Sequence, residues 1–218
     1  MTDSPRWPTV IFDLDGTLVD TVPLIVASYQ HTFQTHLGRT EDEARIKNWI
    51  GQPLIRAFRE VDPDLADQMY ATYLEWNNAH TEEMIRPFAG AGELLTALAA
   101  AGVRVGVATS KRRGQAQRAL ALTGLDSLID PTVTLEDTSA HKPDPEPIRL
   151  ACKAIGALED ESVYVGDAAV DVLAGQAAGL QTVAVTWGAG TPEALRAAKP
   201  TVQVDSMATL GETLLPDA

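Results

Sequence analysis

Two aspartates, Asp13 and Asp15, are the first residues of this sequence that could carry out chemistry. They follow the apolar residues 9–12, which are β-branched or aromatic as in a buried strand, and Gly16 marks the turn that ends it. Alternate residues of an extended chain point to one side, so both carboxylates should project from the strand's end. Two such close carboxylates repel each other unless a cation lies between them. The alternative is that residues 13–16 merely form a turn, and these four residues by themselves leave both explanations open.

A second acidic pair follows a later apolar segment. Asp167 comes after the strand predicted at 162–165, with one residue between them, and Asp171 lies four positions further on, in the first turn of a predicted helix. This spacing puts the two carboxylates on a shared face. They could hold a cation there, or they could serve as negative charges at the helix N-terminus.

Two more segments offer groups that bind phosphate. Thr109 and Ser110 end the strand predicted at 103–108 and open a helix, whose N-terminal amides favour an anion. The same hydroxyls could act merely as N-caps. Lys142 precedes Pro143, which favours extended backbone at the lysine and would fix the direction of its side chain. A solvated loop lysine is the alternative.

These groups all lie where strands end in a regular alternation of strands and helices. That alternation predicts an α/β fold, a Rossmann-like doubly wound parallel sheet with helices on both faces. Open sheets of this kind bind ligands at the carboxyl edge of their strands. Beyond the first strand, strands are predicted at 103–108, 132–135, 162–165, 182–186 and 201–204, and helices at 92–101, 111–122, 145–155 and 171–178.

The segment between the first strand and residue 87 departs from this alternation. Its apolar spacing predicts helices without a convincing strand, so it would form a helical insertion on the ligand edge of the sheet. We therefore predict an α/β core domain of residues 1–18 and 87–218, and an all-helical cap domain of residues 19–86. The helices of the cap are predicted at 22–36, 41–49, 53–61 and 64–81.

Composition limits the function classes. The formal net charge of −13 argues against nucleic acid or an anionic membrane as a partner. The first eight residues lack the apolar region of a signal peptide, and no apolar run is long enough to span a bilayer. The single cysteine, Cys152, fits a reducing compartment. We expect a cytoplasmic protein with a small-molecule partner, and the sequence favours neither monomer nor homodimer.

Two stretches oppose the net charge. Residues 45–59 and 94–125 contain several lysines and arginines but no acid. In so acidic a chain, such stretches suggest surfaces that face an anion. Solvated helix faces are the alternative explanation for each.

The four motifs, in this order and each at the end of a strand, resemble those of the haloacid dehalogenase superfamily. The resemblance is to the phosphoglycolate-phosphatase-like branch, which carries a helical cap, and it extends to residues 19–23, 87–90 and 186–188. It implies a phosphatase that hydrolyses a small phosphate monoester through an aspartyl-phosphate intermediate. The cofactor would be Mg²⁺, and 2-phosphoglycolate is the substrate expected first.

The same resemblance implies roles for the catalytic and phosphate-binding residues. Asp13 would be the nucleophile that attacks phosphorus. Asp15 would protonate the leaving group and later deprotonate the attacking water. Thr109, Ser110 and Lys142 would hold the oxygens of the transferred phosphoryl group.

The metal ligands implied by the resemblance are again the acids. Asp13, the backbone carbonyl of Asp15, and Asp167 would bind Mg²⁺, and Asp171 would order its waters or its surroundings. Physical chemistry agrees, because a cation between the anionic nucleophile and an anionic substrate lets the two approach each other.

Several alternatives stay open beside this interpretation. The chain could be a pyrophosphatase, or a sugar-phosphate phosphatase or phosphomutase of the same superfamily. A phosphonatase would need a lysine in the cap, where Lys47 is the one available. A non-catalytic binding protein on the same fold is the alternative from a different class. Asp15 argues against a dehalogenase, which lacks this second acid.

Substrate choice is expected to lie in the cap. Gln52 and Arg56 lie at and just beyond an inter-helix turn marked by Gly51 and Pro53, where a cap can reach the core. Arg56 could pair with a carboxylate on the leaving group. The alternative is that Arg56 covers the outer surface of the cap.

Overall fold

The computed structural model describes residues 6–129 and 131–215, and six parallel strands form its central sheet. The strands in the described part of the chain are β1 (Thr9–Phe12), β2 (Val19–Asp20), β3 (Arg86–Pro87), β4 (Arg104–Ala108), β5 (Pro131–Val133), β6 (Ser162–Gly166), β7 (Gln181–Val185) and β8 (Val202–Val204). The order in the sheet is β5-β4-β1-β6-β7-β8. This arrangement confirms the predicted α/β class.

Helices lie between the strands. They are α1 (Val22–Leu37), α2 (Glu43–Trp49), α3 (Leu54–Val61), α4 (Ala66–Met84), α5 (Ala91–Ala100), α6 (Arg113–Thr123), α7 (Glu146–Ala154), α8 (Ala169–Ala178), α9 (Pro192–Ala197) and α10 (Met207–Leu214). Within the described ranges, no helix combines the length and the apolar character needed to cross a membrane.

The central strand β1 shows why the sheet is buried on both faces. Val10 and Phe12 pack into one hydrophobic cluster, and Ile11 between them packs into another on the opposite face. Alternate residues of a strand point to opposite faces, so helices on both sides are needed to cover an all-apolar strand. In register, Phe12 lies opposite Val107 of β4 and Val165 of β6. The residues that follow these strands therefore come out at one edge.

The helices α1 to α4 form a segment with an apolar cluster of its own. We call residues 22–84 the helical insertion. The Tyr29 ring lies 5.0–5.8 Å, between centroids, from the rings of Phe33, Trp49, Phe58 and Tyr73. The antiparallel pair β2 and β3 joins the two connections of the insertion. This organisation is compatible with the predicted cap, and the domain boundaries themselves stay a prediction.

Several elements differ from the sequence-based expectation. The strand expected at 132–135 ends at Val133, because Thr134 begins a 3₁₀ turn in which its N–H and hydroxyl both donate to Asp137 at 2.7 Å. The helix α9 and the short pair β2 and β3 were not predicted. Each is only two to six residues long, too short to show a periodic apolar pattern.

Helix α8 packs so closely on the sheet that Gly175 has no room for a side chain. A Cβ built there would lie 2.5 Å from Thr182 Cγ2 and 3.1 Å from Tyr164 Cβ. We expect Gly175→Ala to lower the free energy of unfolding by about 1–3 kcal/mol, as overpacking does. The matched control is Gly114→Ala in α6, where a Cβ meets nothing within 4 Å. That change should raise stability by about 0.5–1 kcal/mol. Urea unfolding measures both, and equal effects would contradict the packing argument.

Candidate active site

Three buried carboxylates meet at the carboxyl edge of the sheet. Asp13 directly follows β1, Asp167 directly follows β6, and Asp171 lies in the first turn of α8. One oxygen of each lies within 4.8 Å of the others. Buried carboxylates so close together destabilise the fold unless positive charge accompanies them.

Lys142 supplies part of that charge. Its Nζ lies 3.0 Å from Asp13 Oδ1 and donates to Asp171 Oδ1 at 2.7 Å and to the Tyr164 hydroxyl at 3.1 Å. Although burial alone would favour the neutral amine, the carboxylates of Asp13 and Asp171 hold the pKa of Lys142 well above its usual value. Tyr164 in turn donates to the carbonyl of Ala108 at 3.0 Å. This hydrogen bond fixes the orientation of the hydroxyl that accepts from Lys142.

One lysine does not neutralise three acids. Burial raises the pKa of Asp13 to about 7; Lys142 opposes this rise, and Asp171 and Asp15 add to it. Burial, together with Asp171 and Asp13, likewise raises the pKa of Asp167 well above its usual range. Asp13 Oδ1 is also buried without a hydrogen bond of good geometry, so its contact with Lys142 is an ion pair only. Oxygen ligands with excess negative charge are what a small divalent cation requires.

Asp167 is held in a cradle that admits no side chain. A Cβ at Gly188 would lie 2.2 Å from Asp167 Oδ2, and one at Gly16 would lie 2.4 Å from the same oxygen. The Thr17 hydroxyl donates to Oδ1 at 3.1 Å, and the Ala189 amide donates to Oδ2 at 2.7 Å. The orientation of this carboxylate is thus fixed from both sides.

The predicted phosphate-binding residues lie on the same edge. Thr109 directly follows β4 and is buried, and its Oγ1 accepts from the Lys111 amide at 3.2 Å. The Ser110 hydroxyl donates to the carbonyl of Gly51 at 2.8 Å, which links this edge to the helical insertion. A Cβ at Gly51 would lie 3.1 Å from Val170 Cγ2. The insertion is therefore closed onto the sheet edge here.

A cavity of about 90 Å³ lies between this edge and the helical insertion. Asp13, Asp15, Thr109 and Ser110 line it from the sheet side. On the insertion side, Gln52 lines it, as expected for a residue that contacts substrate. The structure thus brings these predicted residues together, with Lys142, Asp167 and Asp171 grouped around Asp13.

Arg56 is a predicted site residue that the structure brings neither to the cavity nor to the group around Asp13. It is exposed on α3 and is not among the residues that line the cavity. Its neighbours Ala57 and Phe58 are buried in the cluster of the insertion, so Arg56 lies on the outward face of the helix. Lys47 also lies away from the cavity lining and pairs with Glu43 at 2.7 Å.

Lys111, which the sequence offered as a cation beside Thr109 and Ser110 without a role of its own, lines the cavity. Its Nζ donates to Asp15 Oδ1 at 2.8 Å and to Asp15 Oδ2 at 3.1 Å. The acid-free stretch 94–125 was the signal that pointed to it. The other acid-free stretch, 45–59, faces acids of the insertion instead: Arg45 pairs with Glu41 at 3.0 Å and with Glu60 at 3.1 Å.

Comparison with known proteins agrees with this geometry. Residues 10–185 match the model of the family described as haloacid dehalogenase-like hydrolase. Pyrophosphatase PpaX from Halalkalibacterium halodurans is 37% identical over 202 residues, which cover 93% of this chain and 94% of that protein. A haloacid dehalogenase-like hydrolase structure from Bacteroides fragilis has a TM-score of 0.86 at 27% identity, covering 94% and 99% of the two chains.

A second solved structure shares the fold. It is described as a predicted phosphoglycolate phosphatase from Haemophilus somnus, with a TM-score of 0.83 at 23% identity over 95% of this chain and 97% of that one. The family match spans most of the chain and contains all four motifs, from Asp13 to Asp171. The chain therefore belongs to the haloacid dehalogenase-like hydrolase family, as its motifs predicted, and is a hydrolase of phosphoric esters.

Proposed function

We propose that this chain hydrolyses a small phosphorylated compound through a covalent intermediate on Asp13. The observation that carries the proposal is the position of Asp13, which lines the cavity while its Oδ1 lies 3.0 Å from Lys142 Nζ. A carboxylate nucleophile beside a fixed cation suits an attack on phosphorus. Thr109 and Ser110 line the same cavity, where their donors can bind the equatorial phosphoryl oxygens.

The reaction would proceed in two steps. In the first, an oxygen of Asp13 forms a bond to phosphorus while the bond to the leaving oxygen breaks, and Asp15 gives that oxygen a proton. In the second, Asp15 takes a proton from water, whose oxygen attacks phosphorus and releases Asp13. Asp15 lines the cavity two residues from the nucleophile, and both of its oxygens accept from Lys111 Nζ, so it must take up a proton before it can serve the leaving oxygen.

We propose Mg²⁺ as the cofactor. Asp13, the Asp15 carbonyl and Asp167 would hold it, with Asp171 ordering its surroundings. The excess negative charge of the buried triad and the fixed orientation of Asp167 support this assignment. When bound, the ion supplies positive charge that offsets the repulsion between the anionic nucleophile and an anionic phosphate.

Two substrates are candidates. The sequence led us to expect 2-phosphoglycolate, and relatives named pyrophosphatase PpaX favour inorganic pyrophosphate. In either case the leaving group would lie in the cavity of about 90 Å³ beside Asp15. A panel of phosphate compounds tests the proposal; release of phosphate from none of them would contradict it.

The absence of nucleic-acid and membrane partners, and a cytoplasmic location, stay predictions from composition. The net charge of −13 supports the absence of nucleic-acid and anionic membrane partners, and the single cysteine, Cys152, fits a reducing compartment.

The first prediction for this site concerns its two catalytic acids. Asp13→Asn should lower turnover of every phosphate substrate at least about 10³-fold, because an amide is a poor nucleophile. Asp15→Asn should also lower turnover, and mass spectrometry should detect phosphate on Asp13 when the second step is slowed. The control is Asp160→Asn, an exposed acid outside the site. Turnover of Asp13→Asn at the wild-type rate would contradict the covalent mechanism.

The second prediction concerns the metal. Phosphate release should stop in EDTA and return when Mg²⁺ is added in excess. Ca²⁺ should inhibit, because its larger and irregular coordination misplaces the nucleophile relative to phosphorus. Asp167→Asn should raise the Mg²⁺ concentration needed for half-maximal activity by about tenfold or more. Full activity in metal-free buffer would argue against the metal assignment.

The third prediction follows from the raised pKa of Asp13, which changes from its ordinary 3.8 to about 7 in the folded chain. The folded state therefore binds the proton of Asp13 more tightly than the unfolded chain does. This difference contributes fully to stability below pH 3.8, and the contribution is lost as the pH rises through about 7. Asp13→Asn buries no charge. In EDTA, its advantage in free energy of unfolding over the wild type should therefore grow by on the order of 2 kcal/mol between pH 5 and pH 8. Urea titrations measure this, and a difference independent of pH would contradict it.

A further inference from the structure

The two walls of the cavity differ in charge. On the side of the helical insertion, the described lining residues are apolar, aromatic or neutral polar, for example Ile25, Trp49, Gln52 and Tyr73. On the sheet side, the charged residues of the lining are Asp13, Asp15, Lys111 and Arg112. A negatively charged leaving group therefore finds its counter-charge on the sheet side. Substrate choice was expected in the insertion, but its described lining residues provide no positive charge for such a leaving group.

Lys111 is the better shielded of the two cations. Its side chain is 12% exposed, whereas that of Arg112 is 52% exposed. Arg112 lies at the rim, with its Cζ 5.8 Å from the centroid of the Tyr70 ring. Its Nε lies 3.9 Å from Glu136 Oε1. Because Arg112 is half exposed, solvent screens its attraction for an anion. Lys111 lies where the medium is drier, so an ion pair with a ligand is stronger there.

The hydrogen bonds of Lys111 leave room for a ligand. An ammonium group has three N–H donors. The two oxygens of Asp15 take at most two of them, at 2.8 and 3.1 Å. At least one donor is then available to a group beside Asp15. Because Asp15 is the acid that serves the leaving oxygen, that neighbouring group is the remainder of the leaving group.

We propose that Lys111 is a specificity residue that binds a second negative charge, carried by the leaving group of the substrate. The substrate class would be small phosphate compounds with an anionic leaving group, whether a carboxylate or a second phosphate. This inference rests on the proposed function and deepens it. It places recognition of that charge on the sheet edge, in a lysine adjacent to the phosphate-binding Thr109 and Ser110.

A purely structural role for Lys111 would have a different consequence. If Lys111 only held Asp15 in place, its loss would slow the turnover of all substrates by the same factor. The informative quantity is therefore a ratio between two substrates that differ in the charge of the leaving group alone. 2-Phosphoglycolate and 2-hydroxyethyl phosphate form such a pair, since a hydroxymethyl group replaces the carboxylate.

The experiment compares Lys111→Met with the wild type and with Lys153→Met. Lys153 lies on α7 and is exposed, so Lys153→Met makes the same change outside the cavity. We expect Lys111→Met to lower the ratio of kcat/KM for the charged over the neutral substrate by about 10- to 100-fold, as loss of a charge-assisted hydrogen bond does. Lys153→Met should leave the ratio within about twofold. An unchanged ratio in Lys111→Met would overturn the inference.

A binding measurement covers the case in which Lys111→Met loses turnover altogether. In the Asp13→Asn background, calorimetric Kd values for 2-phosphoglycolate and 2-hydroxyethyl phosphate are compared with and without Lys111→Met. We expect the same selective loss of affinity for the charged compound, and equal losses for both would overturn the inference. If the wild type releases phosphate while both ratios stay unchanged, only this inference fails. If the wild type releases no phosphate from any compound, the proposed function fails as well.

Discussion

The buried carboxylates at the end of the parallel sheet are the constraint on which the rest of the site depends. Lys142 offsets part of their mutual repulsion, because it lies between Asp13 and Asp171, within 3.0 and 2.7 Å of their oxygens. Parallel register brings the ends of β1 and β6 to one edge, and glycines leave the space that Asp167 fills. Backbone topology, small residues and one buried lysine together hold an arrangement that the charges alone would disperse.

The helical insertion completes this electrostatic environment. It closes on the sheet edge through the hydrogen bond from Ser110 to Gly51 and through another from Arg118 to the Asn78 carbonyl at 3.1 Å. Its inner wall is largely apolar, so charges on the opposite wall act on a ligand with little screening. Hydrolysis also needs water at phosphorus, which a permanently closed site would exclude. A closure held by such local contacts is compatible with both the weak screening of charges and the entry of water.

The sequence predicted the parts of this molecule that depend on local signals. The strands followed by acids or hydroxyls were predicted correctly because the residues that mark each motif lie within about ten positions of one another. The proximity of Gly188 to Asp167 joins residues from two separate strand ends, so spacing alone could not reveal it. Arg56 was expected at the substrate because it lies near a turn, but the neighbouring Phe58 orients α3 toward the cluster of the insertion. The pairing of Lys111 with Asp15 could not be predicted, because the two residues lie 96 positions apart in the sequence.

The net charge of −13 adds a final constraint on how an anionic substrate reaches this site. Over distances beyond the Debye length of about 8–10 Å, salt screens the repulsion from the acidic surface. Within that distance, the nearest fixed charges decide. The acid-free stretch 94–125 places Arg112 at the rim and Lys111 inside the cavity, and Lys142 lies behind the nucleophile. The three cations become more buried toward the nucleophile, and the proposed divalent cation would offset the excess negative charge of the acids beside them, so a protein that is acidic overall could attract an anion at close range once that ion is bound.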